Sequence, residues 1–237
     1  MIDAASATDA DLVGERVCFL APREVGTWSE RVALPASMVV PIPSSLPYDE
    51  AASLPLAGLA AMVGLVQTAK VRSGMRVLIH AAAGGVGSLA VQIARANGAN
   101  VVGTCSRQNV DFVHRLGATE VIAYDQEAFE EKVRNSDVVF DLLGGDVHRR
   151  SYKVLKRGGM MVCLAAAPFD NHGERYGVKV ECPEVFPDRV ALASLVELVV
   201  AGRIRPCVEH TLPLSEFARV QQLSETGHAR GKTVLVL

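Results

Sequence analysis

The chain has 237 residues, 49% hydrophobic and 21% charged, with a formal net charge of -2. That composition fits a soluble globular protein with one full core and part of a second, and it carries no basic excess for nucleic acid and no charged tail. The most apolar run, Ala51 to Ala69, is broken by Ser53, Pro55 and Gln67 and is too short to cross a membrane comfortably. Asp3, Asp9 and Asp11 leave no apolar stretch of the secretory kind near position 1. Cys18, Cys105, Cys163, Cys182 and Cys207 are scattered without C-x-x-C spacing. That suits neither a zinc site nor a disulfide framework, and predicts a reducing, cytoplasmic setting.

In chain order, Arg16 to Ala21 reads as a strand and Gly26 to Leu34 as a hairpin return, with Trp28, Val32 and Leu34 alternating. Met38 to Pro43 is extended, but its prolines bar a central strand position. These segments are too few to close a barrel or sandwich. At Pro47 the character changes. Asp49 and Glu50 sit where a helix's first turn favours acids, and Leu54 to Lys70 continues as helix, restarted at Pro55. Strands are then predicted at Val77–His80, Val101–Thr104, Glu120–Ala123, Val138–Leu142 and Met160–Leu164. Helices fall between them at Gly87–Asn97, Asn109–Leu116, Glu127–Arg134 and Val147–Lys156. Val178 to Cys182 reads as a sixth strand, and Arg189 to Ala201 as an apolar helix with Leu192, Leu195, Val196 and Val199 on one face. From Arg205 the chain reads strand, helix (Ser215 to Glu225, with Ser215 as N-cap) and closing strand. The alternation predicts an α/β fold: a doubly wound parallel sheet, with the two β-bearing chain ends packing as a smaller lobe.

The stretch Val77 to Ala94 carries the chemistry. Val77, Leu78 and Ile79 form a short apolar strand. Val86, Leu89, Ala90, Ile93 and Ala94 fall at helical spacing, and Gly98 stands at the helix C′ position. Between strand and helix lies Ala82-x-Gly84-x-x-Gly87, one residue from the dinucleotide fingerprint. The first position is Ala82, so that turn must keep a negative φ or be mildly strained. Free amides at the helix start then face an anion.

A dinucleotide fold that prefers NAD places Asp or Glu about 20 residues past this turn, on the ribose 2′-hydroxyl. Here Thr104 takes that place, with Cys105, Ser106 and Arg107 behind it. A carboxylate there would repel a 2′-phosphate, whereas a hydroxyl and a guanidinium can bond it, so the expected cofactor is NADPH.

An ordered set of motifs resembles the medium-chain dehydrogenase/reductase superfamily, in its zinc-free quinone oxidoreductase and enoyl reductase branch. These are Gly26-Thr27-Trp28-Ser29-Glu30, Ala51-Ala52-Ser53-Leu54, Ala81 to Gly87, Leu116-Gly117-Ala118-Thr119, Asp141 to Gly145, Gly158-Gly159 and Gly231-Lys232. The resemblance runs from about Leu12 to Leu237. It implies an NADP-binding Rossmann domain at 47–203, flanked by parts of a GroES-like catalytic lobe at 1–46 and 204–237. It further implies hydride transfer to quinones, enones or 2-enoyl thioesters. Relatives carry a longer segment before the position where Met1 stands, supplying most of the GroES-like lobe and much of the substrate pocket, so only part of that lobe is expected here. Carried over singly, Ala83, Gly84, Gly85, Val86 and Gly87 would line the diphosphate. Thr104, Ser106 and Arg107 would form the 2′-phosphate corner. Asn109 stands where many relatives have a phosphate-binding lysine, and Tyr124 would flank the adenine. Leu143, Gly144, Leu164, Ala165 and Ala166 would border the nicotinamide ribose and ring. The resemblance also implies a homodimer through the edge strand Val178–Cys182.

No metal is expected, because neither His-x-x-His nor His-Glu-x-x-His occurs and the cysteine-rich zinc loop of other relatives is missing. No general acid is nominated, since no carboxylate pair or Ser–Lys/Tyr pattern stands out. Two function classes stay open: an NADPH-dependent reductase of an activated double bond or quinone, and a catalytically silent NADP-binding or assembly module.

Overall fold

A computed structural model describes residues 12–164, 168–227 and 229–237. Strand β1 (Val17–Cys18) pairs antiparallel with β2 (Val40–Pro41). Helices α1 (Tyr48–Ser53) and α2 (Pro55–Ala61) follow, and α2 runs into a π-helical segment at Met62–Thr68. Pro55 opens α2, where its missing N–H costs nothing. The regular α/β part then runs β3 (Arg76–Ile79), α3 (Gly85–Ala96), β4 (Asn100–Cys105), α4 (Val110–Arg115), β5 (Glu120–Ala123), α5 (Phe129–Lys132), β6 (Ser136–Asp141), α6 (Gly145–Ser151), β7 (Leu155–Cys163), α7 (Gly173–Tyr176) and β8 (Lys179–Glu181). The chain ends with α8 (Arg189–Val200), β9 (Val208–Pro213), α9 (Phe217–Glu225) and β10 (Lys232–Val236).

Six strands form one parallel sheet in the order β5-β4-β3-β6-β7-β8. This is the doubly wound arrangement expected from the alternation. The strand order reverses between β3 and β6, which opens a crevice at the carboxyl ends of the strands. Burial on both faces explains the apolar run of β3. Val77 and Ile79 point into one core with Val101, Phe140 and Leu89. Leu78 points into the other, with Val102, Val139 and Met161. The helical layer over the first core packs tightly enough to need glycine. A Cβ at Gly64 would lie 2.4 Å from Phe140 Cε2, and one at Gly58 2.7 Å from a Leu195 methyl.

The chain ends differ from the sequence expectation in detail. Only Val17 and Cys18 of Arg16–Ala21 are strand, and Gly26–Leu34 forms none, because β1 takes β2 as its partner and leaves the alternating residues without one. Trp28 is exposed there and rests on Phe217 at 4.4 Å. Ser215 makes no cap. It lies inside a one-turn 3-10 helix ahead of α9, and the capping side chain found on a helix here is Asp188, which accepts from Ala191 N at the start of α8. The predicted helix Glu127–Arg134 shrinks to one turn, and Val147–Lys156 stops being α-helical at Ser151, because β7 starts early, at Leu155. No helix among the described residues is long and apolar enough to cross a membrane.

Candidate cofactor site

The glycine turn joins β3 to α3 as the pattern predicts, but the strain sits one residue earlier. Ala81, not Ala82, has positive φ, at 51°. Ala82 is fully buried, its methyl facing the backbone of Gly103 on β4. Gly84 N donates to Ala81 O at 2.9 Å, and Gly84 caps α3. Gly87 packs the helix onto the strand: a Cβ there would lie 2.1 Å from Ala81 O. The first amides of α3 have no intrahelical acceptor and form a site for an anion.

The end of the chain clasps this turn. Gly231 N donates to Ala83 O at 2.8 Å, and Gly84 and Gly231 form a parallel bridge. Gln92 of α3 holds the approach to β9 through Arg205 N and O, at 2.8 and 2.9 Å. The clasp lays Lys232 against Gly85, where a Cβ would lie 2.4 Å from Lys232 Cε and 2.9 Å from Nζ. Among the described residues no acceptor holds that ammonium, and burial lowers its pKa. Lys232 is a candidate site residue that sequence reasoning missed. The Gly231-Lys232 motif was visible, but only the clasp places it on the turn.

A cleft of about 330 Å³ opens over the carboxyl ends of β3, β4 and β5. Of the residues singled out in the sequence, Ala83, Gly84, Thr104, Ser106, Asn109, Tyr124 and Leu143 line it. Gly85, Val86, Gly87, Arg107, Gly144 and Leu164 do not. The first three belong to the opening of α3, Arg107 is exposed on the rim, and Gly144 and Leu164 are held by the Asp141 network described below. Ala165 and Ala166 lie outside the described residues. His80, Phe129 and Arg150 also line the cleft and were not anticipated.

His80 fixes the hydrogens at the cleft floor. It is buried, and desolvation lowers its pKa to about 4, partly opposed by the Asp141 charge. Ser151 Oγ donates to Val147 O at 2.7 Å, so it accepts from His80 Nε2 at 2.9 Å. Nδ1 of the neutral ring is then the acceptor, and Thr104 Oγ1 donates to it at 3.0 Å. The Thr104 hydroxyl hydrogen is therefore committed inward. Ser106 differs: its Oγ accepts from Asn109 Nδ2 at 3.2 Å and its own hydrogen is free to donate.

A second buried network sits at the ends of β6 and β7. Asp141 Oδ1 accepts from Leu143 N and Gly144 N, both at 2.9 Å, and its main-chain carbonyl accepts from Leu164 N at 2.9 Å. Asp141 Oδ2 accepts from His148 Nδ1 at 2.9 Å. Tyr152 OH donates to His148 Nε2 at 2.8 Å and accepts from His172 N at 2.9 Å. Asp141, His148 and Cys163 present ligand-type atoms within 4.8 Å of one another. These carboxylate and ring atoms are already spent in hydrogen bonds that shape the Leu143–Gly144 turn, which is the role this geometry supports.

Residues 116–235 match the family model described as "Zinc-binding dehydrogenase". The chain is 33% identical over 245 residues to mouse "NAD(P)H oxidoreductase RTN4IP1, mitochondrial", covering 90% of this chain and 62% of that protein. It is 32% identical over 248 residues to a "2-haloacrylate reductase" from a Burkholderia species, covering 94% of this chain and 74% of that one. The chain belongs to the medium-chain dehydrogenase/reductase superfamily, in its zinc-free quinone oxidoreductase-like branch. Among solved structures, Escherichia coli quinone oxidoreductase complexed with NADPH superposes with a TM-score of 0.86 at 29% identity, over 95% of this chain and 76% of that one. The chain thus spans less than two thirds of the mouse relative's length and about three quarters of the other two. The doubly wound sheet and the glycine turn between β3 and α3 agree with the motif reading.

Proposed function

We propose that this chain is the cofactor-binding part of an NADPH-dependent reductase that adds hydride to an activated double bond or a quinone: an enone, a 2-enoyl (thio)ester or a quinone ring. The observation that carries the reading is the joint placement of the α3 amides, Lys232 and the residues Gly84, Thr104, Ser106, Asn109 and Tyr124 at one sheet edge. The cradle fits a dinucleotide because it offers an unpaired cation and open amides beside a glycine turn whose side-chain space is already filled by Lys232. The mouse and Burkholderia relatives, an NAD(P)H oxidoreductase and a 2-haloacrylate reductase, support the same chemistry.

When bound, the reduced nicotinamide supplies the hydride. The α3 amides and Lys232 balance the diphosphate charge. Ser106 Oγ–H and the Arg107 guanidinium meet the 2′-phosphate, and Tyr124 flanks the adenine. Leu143, Gly144 and Leu164 would border the nicotinamide end, held there by the Asp141 carboxylate and main-chain carbonyl. A groove of about 760 Å³ lies beyond Lys232, between Val17–Pro22, α1 and β10. We assign the substrate to this side, and the segments 1–46 and 204–237 to a partial catalytic lobe around the nucleotide-binding 47–203. β8 leaves one side unpaired among the described residues, and we propose that two copies join there as a homodimer.

Titration with NADPH and NADH, followed by cofactor oxidation against a panel of quinones, enones and enoyl thioesters, tests the reading. Binding of neither dinucleotide would overturn it. Binding without turnover on any acceptor would favour the silent binding module instead. Light scattering of the eluted protein tests the dimer, and a monomer at micromolar concentration would count against it.

A further inference from the structure

The 2′-corner looks free of acid in the sequence, because β4 ends in Thr104-Cys105 and continues to Ser106-Arg107. The fold supplies one from the neighbouring strand. β4 and β5 pair in register to Cys105 and Ala123, and Tyr124 N donates to Cys105 O at 3.0 Å. That pairing carries Asp125 directly beside the corner. Both of its carboxylate oxygens accept from Arg107 N, at 2.9 and 3.2 Å. No cation pairs with this carboxylate among the described residues. Its charge reaches the cleft wall: burial pushes the Cys105 thiol up to about 11, and Asp125 adds to that rise.

We infer that Asp125 is a specificity-determining residue, whose carboxylate opposes a 2′-phosphate and restrains the preference for NADPH that Ser106 and Arg107 give. The inference rests on the cleft being a dinucleotide site and names what sets the choice within it. The two cofactors differ at one group. A phosphate there carries about -1.5 to -2 charges and only accepts hydrogen bonds from the protein, whereas the ribose hydroxyl is neutral and can donate. Two corner groups suit the hydroxyl: the Asp125 carboxylate, and Thr104 Oγ1, whose hydrogen is committed to His80. Two suit the phosphate: the free Ser106 hydroxyl hydrogen and the Arg107 guanidinium. The corner is therefore mixed, and among the described residues the Asp125 carboxylate is the charge in it that repels.

The test is the ratio of dissociation constants for NADPH and NADH, in the wild type and in Asp125→Asn. The amide keeps an oxygen for Arg107 N, removes the charge, and sits on an exposed turn. The ratio is expected to move about threefold to tenfold toward NADPH at low ionic strength, as for a solvated charge acting on a doubly charged group, with NADH affinity within about twofold of wild type. The shift shrinks in concentrated salt. An unchanged ratio would overturn the inference while leaving the cofactor site intact. Equal loss of both cofactors would also overturn it, since Asp125 would then only brace the Arg107 turn. If the wild type binds neither, the reading of the cleft fails and takes this inference with it.

Discussion

Gly87 approaches Ala81 so closely that a single added carbon would lie 2.1 Å from the Ala81 carbonyl oxygen. The obstacle is backbone, so no rotamer change can relieve it. Gly87→Ala must therefore push α3 off β3 and tilt the amides that open the helix. We expect a stability loss of about 2 kcal/mol or more, with cofactor binding lost in parallel. Gly26→Ala serves as a control, because nothing lies within 4 Å of its added carbon, and it should change stability by no more than about 0.5 kcal/mol. Urea midpoints and a cofactor titration on both variants decide this.

Lys232 sets stability against binding. Burial lowers its pKa, so the folded chain holds its proton less tightly than the unfolded chain does. For that group, stability is reduced where both states are protonated, and rises as pH climbs through the lowered pKa toward the ordinary lysine value of about 10.4. Lys232→Met keeps the stem that packs on Gly85 and removes the charge. It is expected to melt at the same or a higher temperature while binding NADPH about tenfold more weakly or worse. A variant that bound NADPH as well as the wild type would remove Lys232 from the site.

The neutral imidazole of His80 gives the fold an acid-sensitive element. Its folded pKa of about 4 lies below the ordinary value of 6.5. The unfolded chain therefore takes up a proton that the folded chain refuses. The stability this represents is complete above about pH 6.5 and is lost as pH falls toward 4, with a slope approaching about 1.4 kcal/mol per pH unit. His80→Asn should be less stable at neutral pH, having lost the bonds to Thr104 and Ser151, yet its stability should fall less steeply between pH 6.5 and 4. Parallel slopes for the two proteins would show that His80 does not titrate in this way.

Asp141 satisfies three donors at once: Leu143 N, Gly144 N and His148 Nδ1. Asp141→Ala leaves Gly144 N and His148 Nδ1 buried without an acceptor and frees Leu143 N, and is expected to cost about 3 kcal/mol or more. Asp141→Asn should cost less, because its Oδ1 can still serve the two amides and His148 can adopt the other tautomer as the Tyr152 hydroxyl turns. Denaturation curves that put the two variants level would argue against this division of roles.

Apolar runs made the sheet and the glycine turn legible, because β3 is buried on both faces and α3 is buried all round from Gly87 to Ala94, and burial imprints itself on residue order. The cleft was legible where its residues sit on that turn or at the adjacent strand ends, as Gly84, Thr104, Ser106 and Tyr124 do. Lys232 and Asp125 were not, because their places depend on which strands pair and in what register. The absence of an acid after β4 was read correctly from the residues, yet the pairing of β4 with β5 brings one to the same corner. Gly26 to Leu34 misled in the opposite way: an alternating pattern describes a face, and among the described residues no neighbouring strand takes it up.

The bridge between Gly84 and Gly231 couples the last strand to the start of α3, where the proposed nucleotide cradle lies. Any ligand that settles on the cradle must therefore hold down the carboxyl end of the chain by the same free energy that the seated end contributes to ligand affinity. Carboxypeptidase digestion should slow as cofactor is added, and trimming past Lys232 should abolish binding while the six-stranded sheet stays folded.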